Sequence, residues 1–226
     1  MPKGTFIVID GTDGSGKTVQ TNKLIERLQA EGRRVTKFDF PQYGKLSARL
    51  VEQYLAGEFG GANDVGPKVA SAFYALDRFD AAPEIRKAIE DGGIAISNRY
   101  ASSNKGHQLG KIEDPEEQRK FLDWLNELEY GKNGIPKPDL TIFLHAPAEI
   151  GFELAKKRDA ASDGTEKKDI HQADITHLKN AERAFLRAVE IDTGENWKVV
   201  ECAKDGALLP IDEIHEKIRE TVSPLL

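Results

Sequence analysis

The chain has 226 residues, 39% apolar and 31% charged, which suits one globular domain with a buried core. A net charge of −6 excludes bulk attraction to nucleic acid or an anionic membrane, so any anion site must be a local concentration of Lys and Arg. One cysteine, Cys202, excludes an internal disulfide and a zinc motif, and no run reaches the ~18–20 apolar residues of a membrane span.

In chain order, residues 5–9 form a continuous, partly β-branched apolar run, the pattern of a buried parallel strand. A Gly-rich turn leads into a helix over 18–31, with Leu24, Ile25 and Leu28 at helical spacing and Gly32 as its stop. A strand over 34–40 ends at Pro41. Helices follow over 45–55 and 67–91, with Pro83 marking a kink or break. The third strand spans 93–97, and a helix covers 115–130. A strand over 139–145 precedes a helix over 147–158. Residues 159–168 are small, charged and aperiodic, as in a mobile loop. A long helix over 170–191, a strand over 197–201 and a helix over 211–222 close the chain. Alternating strands and helices predict an α/β fold of three layers, with a five-stranded parallel sheet flanked by helices. The expectation is a single domain over 1–226, located in the cytoplasm, with a lid at about 156–172.

The turn after the first strand reads GTDGSGKT: Gly11, Thr12, Asp13, Gly14, Ser15, Gly16, Lys17 and Thr18. It fits the phosphate-loop pattern without mismatch and has the required strand before it and helix after it. Such a loop turns successive N–H groups toward a polyphosphate, and the helix N-terminus adds positive potential. Lys17 is placed to reach the β- and γ-phosphates, and the Thr18 hydroxyl to ligate Mg²⁺. ATP and Mg²⁺ are therefore expected. No Asn-Lys-x-Asp guanine motif occurs.

With that loop, four further segments carry a family resemblance: FPQYG at 40–44, YALDR at 74–78, NRYASSN at 98–104 and PKPDLTIFL at 136–144. In order and spacing, the chain resembles the thymidylate kinase (dTMP kinase) family over nearly its whole length. The resemblance implies a P-loop kinase that moves the γ-phosphoryl group of ATP to dTMP. It places Asp13 on the sugar 3′-hydroxyl and Phe40 and Tyr74 on the two faces of the base. Arg78 and Arg99 would hold the acceptor phosphate. Asn104 and Gln108 would lie near the base, and His107 near the sugar. Arg158, Lys167 and Lys168 are the lid cations it implies, with Arg158 beside Lys17 and Arg99 in catalysis. Its partners are small-molecule nucleotides, and it implies a homodimer.

The chain departs from the family pattern at several positions. Gln42 stands for an arginine, with Arg49 the nearest replacement. Asn98 stands for an aspartate near the metal, a role that passes to Asp10. His171 and His107 replace a glutamate and an aromatic. Gly14 sits where some members carry an arginine. Two readings stay open beside dTMP kinase: a kinase for dUMP, UMP or CMP, and a non-catalytic nucleotide binder. A deoxynucleoside kinase is disfavoured, because its acceptor hydroxyl would give Arg78 and Arg99 no phosphate to hold.

Overall fold

The computed structural model describes residues 4–61, 64–161 and 175–226, the side chains at 155 and 157–161 excepted. Strands β1 (Thr5–Gly11), β2 (Val35–Asp39), β3 (Ile94–Asn98), β4 (Leu140–His145) and β5 (Trp197–Glu201) form one sheet in the order β2-β3-β1-β4-β5. Every pairing is parallel. The chain leaves β1 toward β3 and β2 on one side and toward β4 and β5 on the other. The crevice beyond the carboxyl end of β1 is therefore the topological switch point, where open α/β sheets bind ligands.

Alternation along β1 divides the core. Ile7 and Ile9 face one side, with Leu24, Ile25 and Leu28 of α1 (Lys17–Ala30) and Ile214, Ile218 and Val222 of α8 (Ile211–Val222). Phe6 and Val8 face the other, with Ala81, Ala82, Ile85 and Ile89 of α3 (Pro67–Glu90). Each fully buried aliphatic side chain contributes roughly 1.5–3 kcal/mol, so both helix layers are held by the strand that ends in the phosphate loop.

The expected strands are all present, while the helices differ in detail. The segment at 45–55 is a 3₁₀ turn followed by α2 (Arg49–Leu55). Helix α3 runs through Pro83 without a break. Proline frees the carbonyl four residues earlier, at Phe79, whose residue is exposed, so water can serve that oxygen. Helix α5 (Pro115–Asn126), capped by the Asp114 carboxylate on two N–H groups, passes into a π-helical turn at Glu127–Lys132. Helix α6 (Ala148–Ala161) extends into the expected loop, and the remainder of that loop lies outside the described residues. Helix α7 is described from Ile175 to Ile191. A short hairpin, β6 (Ala203–Lys204) with β7 (Ala207–Leu208), follows β5.

One helix was not expected. Helix α4 (Ala101–His107) has the sequence ASSNKGH, without apolar periodicity or strong helix formers. Tertiary contacts hold it. The Lys105 ammonium reaches Asp192 at 2.6 Å, Asn126 Oδ1 at 2.7 Å and Glu195 at 2.9 Å, and the Lys105, Asp192 and Glu195 side chains are fully enclosed. Burial raises the Asp192 carboxyl, but Lys105 outweighs it and the net shift is downward. Against Gly106 packs the Phe185 ring, whose nearest atom lies 2.1 Å from where a Cβ would stand. Any side chain at 106 would push α4 off α7.

Candidate active site

The phosphate loop leaves β1 at Gly11 and enters α1 through Gly16, whose φ of +85° belongs to the left-handed region. Inside it, Lys17 donates to the Thr12 carbonyl at 2.7 Å and lies 3.6 Å from Asp13. Burial and the Arg99 charge lower its pKa to about 8, against the pull of Asp13 and Asp10. The Thr12 and Ser15 hydroxyls are buried without a hydrogen-bond partner among the described residues. Both are suited to an incoming anion. At the tip, a Cβ on Gly14 would stand 2.1 Å from the Gly151 carbonyl oxygen, and one on Gly151 2.5 Å from the Asp13 carbonyl. The loop and the first turns of α6 meet backbone to backbone.

Beside the loop opens a cavity of about 270 Å³. It gathers residues distant in sequence: Asp13 and Thr18 from the loop, Phe40 after β2, and Tyr74 and Arg78 from α3. Arg99, Asn104, His107 and Gln108 close the far wall. Every residue expected at the acceptor site thus lines one cavity. Tyr43, Tyr100, Ser103 and Asp39 also line it and were not foreseen. The register could have exposed Asp39, since it ends β2 directly beside Asn98 at the end of β3.

Arg99 has a φ of +66°, an uncommon conformation for a residue with a side chain. Its N–H donates to the Ile9 carbonyl at 2.9 Å, which fixes the turn at the sheet edge. Its guanidinium pairs with Asp13 and lies 3.2 Å from His107 Nε2. A guanidinium only donates, so this His107 nitrogen accepts. Burial opposes the ionised Asp13 carboxyl, yet Arg99 and Lys17 together hold it far below the usual range.

Arg78 departs from expectation. It is 1% exposed, with Nε and Nη2 both donating to Glu129 and Nη1 donating to the Tyr100 carbonyl at 3.2 Å. The fork expected on a phosphate is closed on a buried carboxylate, one supplied by the π-helical turn 51 residues away. Neither Asp77 nor Asp80 is its partner. Asp77 instead binds Gln42, through the Gln42 backbone N–H at 2.8 Å and the side-chain amide at 3.1 Å. Arg49, the suggested replacement for an arginine at 42, is exposed and does not line the cavity.

Asp10 also differs. It is fully buried, and its oxygens accept from the Gly11 N–H at 2.8 Å, Ser102 at 2.6 Å and Ser103 at 2.7 Å. It anchors α4 to the end of β1 and offers no open face to a cation. Asn98, in contrast, bridges. Its Nδ2 donates to Asp39 at 2.8 Å and lies 3.4 Å from the Thr18 hydroxyl, while its buried Oδ1 has no hydrogen-bond partner among the described residues. At the opposite wall, the buried Gln108 Oε1 is also without one. Among the expected lid cations, Arg158 lies on α6 with its side chain outside the described residues. Lys167, Lys168 and His171 lie outside them entirely.

A family model described as thymidylate kinase matches residues 9–218. The chain is 29% identical to a thymidylate kinase of Homo sapiens over 217 residues, 96% of this chain and 89% of that one. It is 30% identical to a thymidylate kinase of Thermomicrobium roseum over an alignment of 230 residues, 98% of this chain and 95% of that one. Among solved structures, the thymidylate kinase of Candida albicans aligns with a TM-score of 0.71 at 20% identity, covering 99% of this chain and 92% of that one. That likeness establishes the fold.

Proposed function

The chain belongs to the thymidylate kinase family, and from that premise we propose that it transfers the γ-phosphoryl group of ATP to dTMP, giving dTDP and ADP. The observation that carries this reading is the Arg99–Asp13 pair. One member belongs to the phosphate loop and the other to the acceptor cavity, so donor and acceptor phosphates meet where the two halves touch.

In this reading the pair opens when dTMP enters. Arg99 turns its fork to the acceptor phosphate, a better bidentate partner, and Asp13 is released to the sugar 3′-hydroxyl. Lys17 moves from the Thr12 carbonyl to the β- and γ-phosphates. The acceptor phosphate, with a second pKa of about 6, is already a dianion at neutral pH, so no general base is required. Catalysis then consists of aligning two repelling anions and neutralising the charge that spreads over the transferred group. Arg99 does this work, with Arg158 and the lid lysines as the further cations. Arg78 lines the cavity on the α3 side while tied to Glu129. Phe40 and Tyr74 flank the base, and Gln108 and Asn104 meet its edge. His107 packs near the sugar. The exposed Thr18 hydroxyl, a hard donor, would hold Mg²⁺, and the ion would offset charge on the triphosphate.

The test is ADP release from MgATP with dTMP, dUMP, UMP or CMP in turn. A pocket that senses one methyl group discriminates roughly 10–200-fold, so dTMP should exceed dUMP by at least about tenfold. Absence of stimulation by all four would sink the kinase reading.

We further propose one domain over 1–226, acting in the cytoplasm as a homodimer. The single buried thiol, Cys202, pushed up to about 12 by burial, suits a reducing compartment, which fractionation of source cells would check. Among the described residues no helix is long and apolar enough to cross a membrane. The outer face of α3 exposes Val69, Leu76 and Phe79, three large apolar side chains at helical spacing. Phe79→Asp should convert a dimer of twice 25.0 kDa into monomer in light scattering. A wild-type chain that is monomeric at tens of micromolar removes the dimer.

A further inference from the structure

A phosphate-loop enzyme needs a carboxylate near the loop Thr to hold the metal or its waters. Three aspartates lie at the sheet edge that carries the loop, in β1, in the loop itself and at the end of β2, and two of them are largely enclosed. Asp10 is enclosed and accepts two serine hydroxyls and a backbone N–H. Asp13 is paired with Arg99 and lies beside Lys17. The third, Asp39, ends β2, lines the cavity and has a side chain 49% exposed.

Asp39 also has the right connection. Asn98 stands between it and Thr18, with Nδ2 at 2.8 Å from Asp39 Oδ1 and 3.4 Å from the Thr18 hydroxyl. The carboxylate fixes the orientation of that amide, because only the NH₂ end can face an acceptor. Asn98 Oδ1 is thereby left buried, without a partner among the described residues, at the cavity wall. An amide oxygen enclosed in this way lacks a donor or a cation shell, while the NH₂ of the same group holds the most exposed of the three carboxylates. The other Asp39 oxygen pairs with Lys37 at 3.2 Å on the exposed side, a contact that water screens.

We propose that Asp39 supplies the carboxylate of the Mg²⁺ site and that Asn98 relays it. The negative charge expected at the end of β3 has moved one strand over, to the end of β2, and Asn98 keeps the polar link to Thr18. Asp39 acts as a positioning residue on the metal's water shell. This inference rests on the kinase reading only in so far as that reading places Mg²⁺ at Thr18.

The test measures metal binding, without turnover. Mn²⁺ would be titrated into the protein–ADP complex, with free metal followed by its electron paramagnetic resonance signal. Asp39→Asn should weaken Mn²⁺ binding about tenfold. The exchange variant Asp39→Asn/Asn98→Asp, which returns the carboxylate to β3, should recover binding to within about twofold of wild type. ADP affinity without metal should be unchanged in both. Wild-type affinity in Asp39→Asn, or an exchange variant as weak as Asp39→Asn, overturns the role of Asp39 and leaves the kinase reading standing. A wild-type complex that binds no Mn²⁺ overturns both the metal placement at Thr18 and this inference.

Discussion

Arg99→Ala should lower kcat/KM for dTMP about a thousandfold while ATP binding stays within about threefold of wild type. The magnitude follows from removing a cation that neutralises a transferring phosphoryl group, an effect of roughly 10³–10⁵ where an arginine finger is lost. The selectivity follows from position. Arg99 sits in the acceptor cavity and pairs with the phosphate loop through Asp13. Its loss also removes a positive charge that depresses Lys17, so Lys17 becomes easier to protonate and ATP binding does not suffer. Backbone strain does not confuse the result, because Ala meets the same left-handed penalty that Arg already bears at φ +66°. Arg99→Lys should fall between the two, keeping charge and losing the fork. Steady-state kinetics and calorimetric ATP titration check this. If ATP affinity collapses while KM for dTMP is unmoved, Arg99 belongs to the donor side.

Lys105→Met should lower stability by about 3–5 kcal/mol, the cost of leaving buried charges uncompensated. Two carboxylates, Asp192 and Glu195, lose the ammonium that lies 2.6 and 2.9 Å from them. For a chain of this size that corresponds to a fall of roughly 6–20 °C in Tm. The sign with pH is distinctive. Wild-type Asp192 has a lowered pKa, so its contribution is present above the unfolded carboxyl value and fades as pH falls through the folded one. In the variant Asp192 keeps the burial that raises its carboxyl and loses the Lys105 charge that lowered it, so the deficit should shrink as pH falls from 7 toward 5. Thermal melts at both values check it. A Tm within about 2 °C of wild type at pH 7 would show the network to be dispensable.

Much of the acceptor site was readable because its residues lie in short segments that end strands or open helices. The phosphate loop was legible outright, since a strand, three glycines, Lys17 and a helix admit few other structures. Helix α4 was not, because nothing in ASSNKGH favours a helix. It forms because Asp10, Asp192 and Phe185 hold it from outside. Arg78 was recognised as part of the site, but its buried pairing with Glu129 was not, because Glu129 comes from a π-helical turn with no sequence signal of its own. Asp39 went unnoticed for a different reason. Its significance lies in strand register, which places it against Asn98 across 59 positions of chain.

The backbone contact between Gly14 and Gly151 constrains what this lineage can become. Some family members carry an arginine in the phosphate loop at the place of Gly14. Here such a change meets the Gly151 carbonyl at the first side-chain carbon, before any cation could be presented. No single substitution leads from this loop to an arginine-bearing one. Helix α6 would have to withdraw first, and a chain caught between the two steps would have a disturbed phosphate loop and no new charge. Variation should therefore proceed beyond α6, where cations can be exchanged one at a time, while positions 14 and 151 stay glycine together.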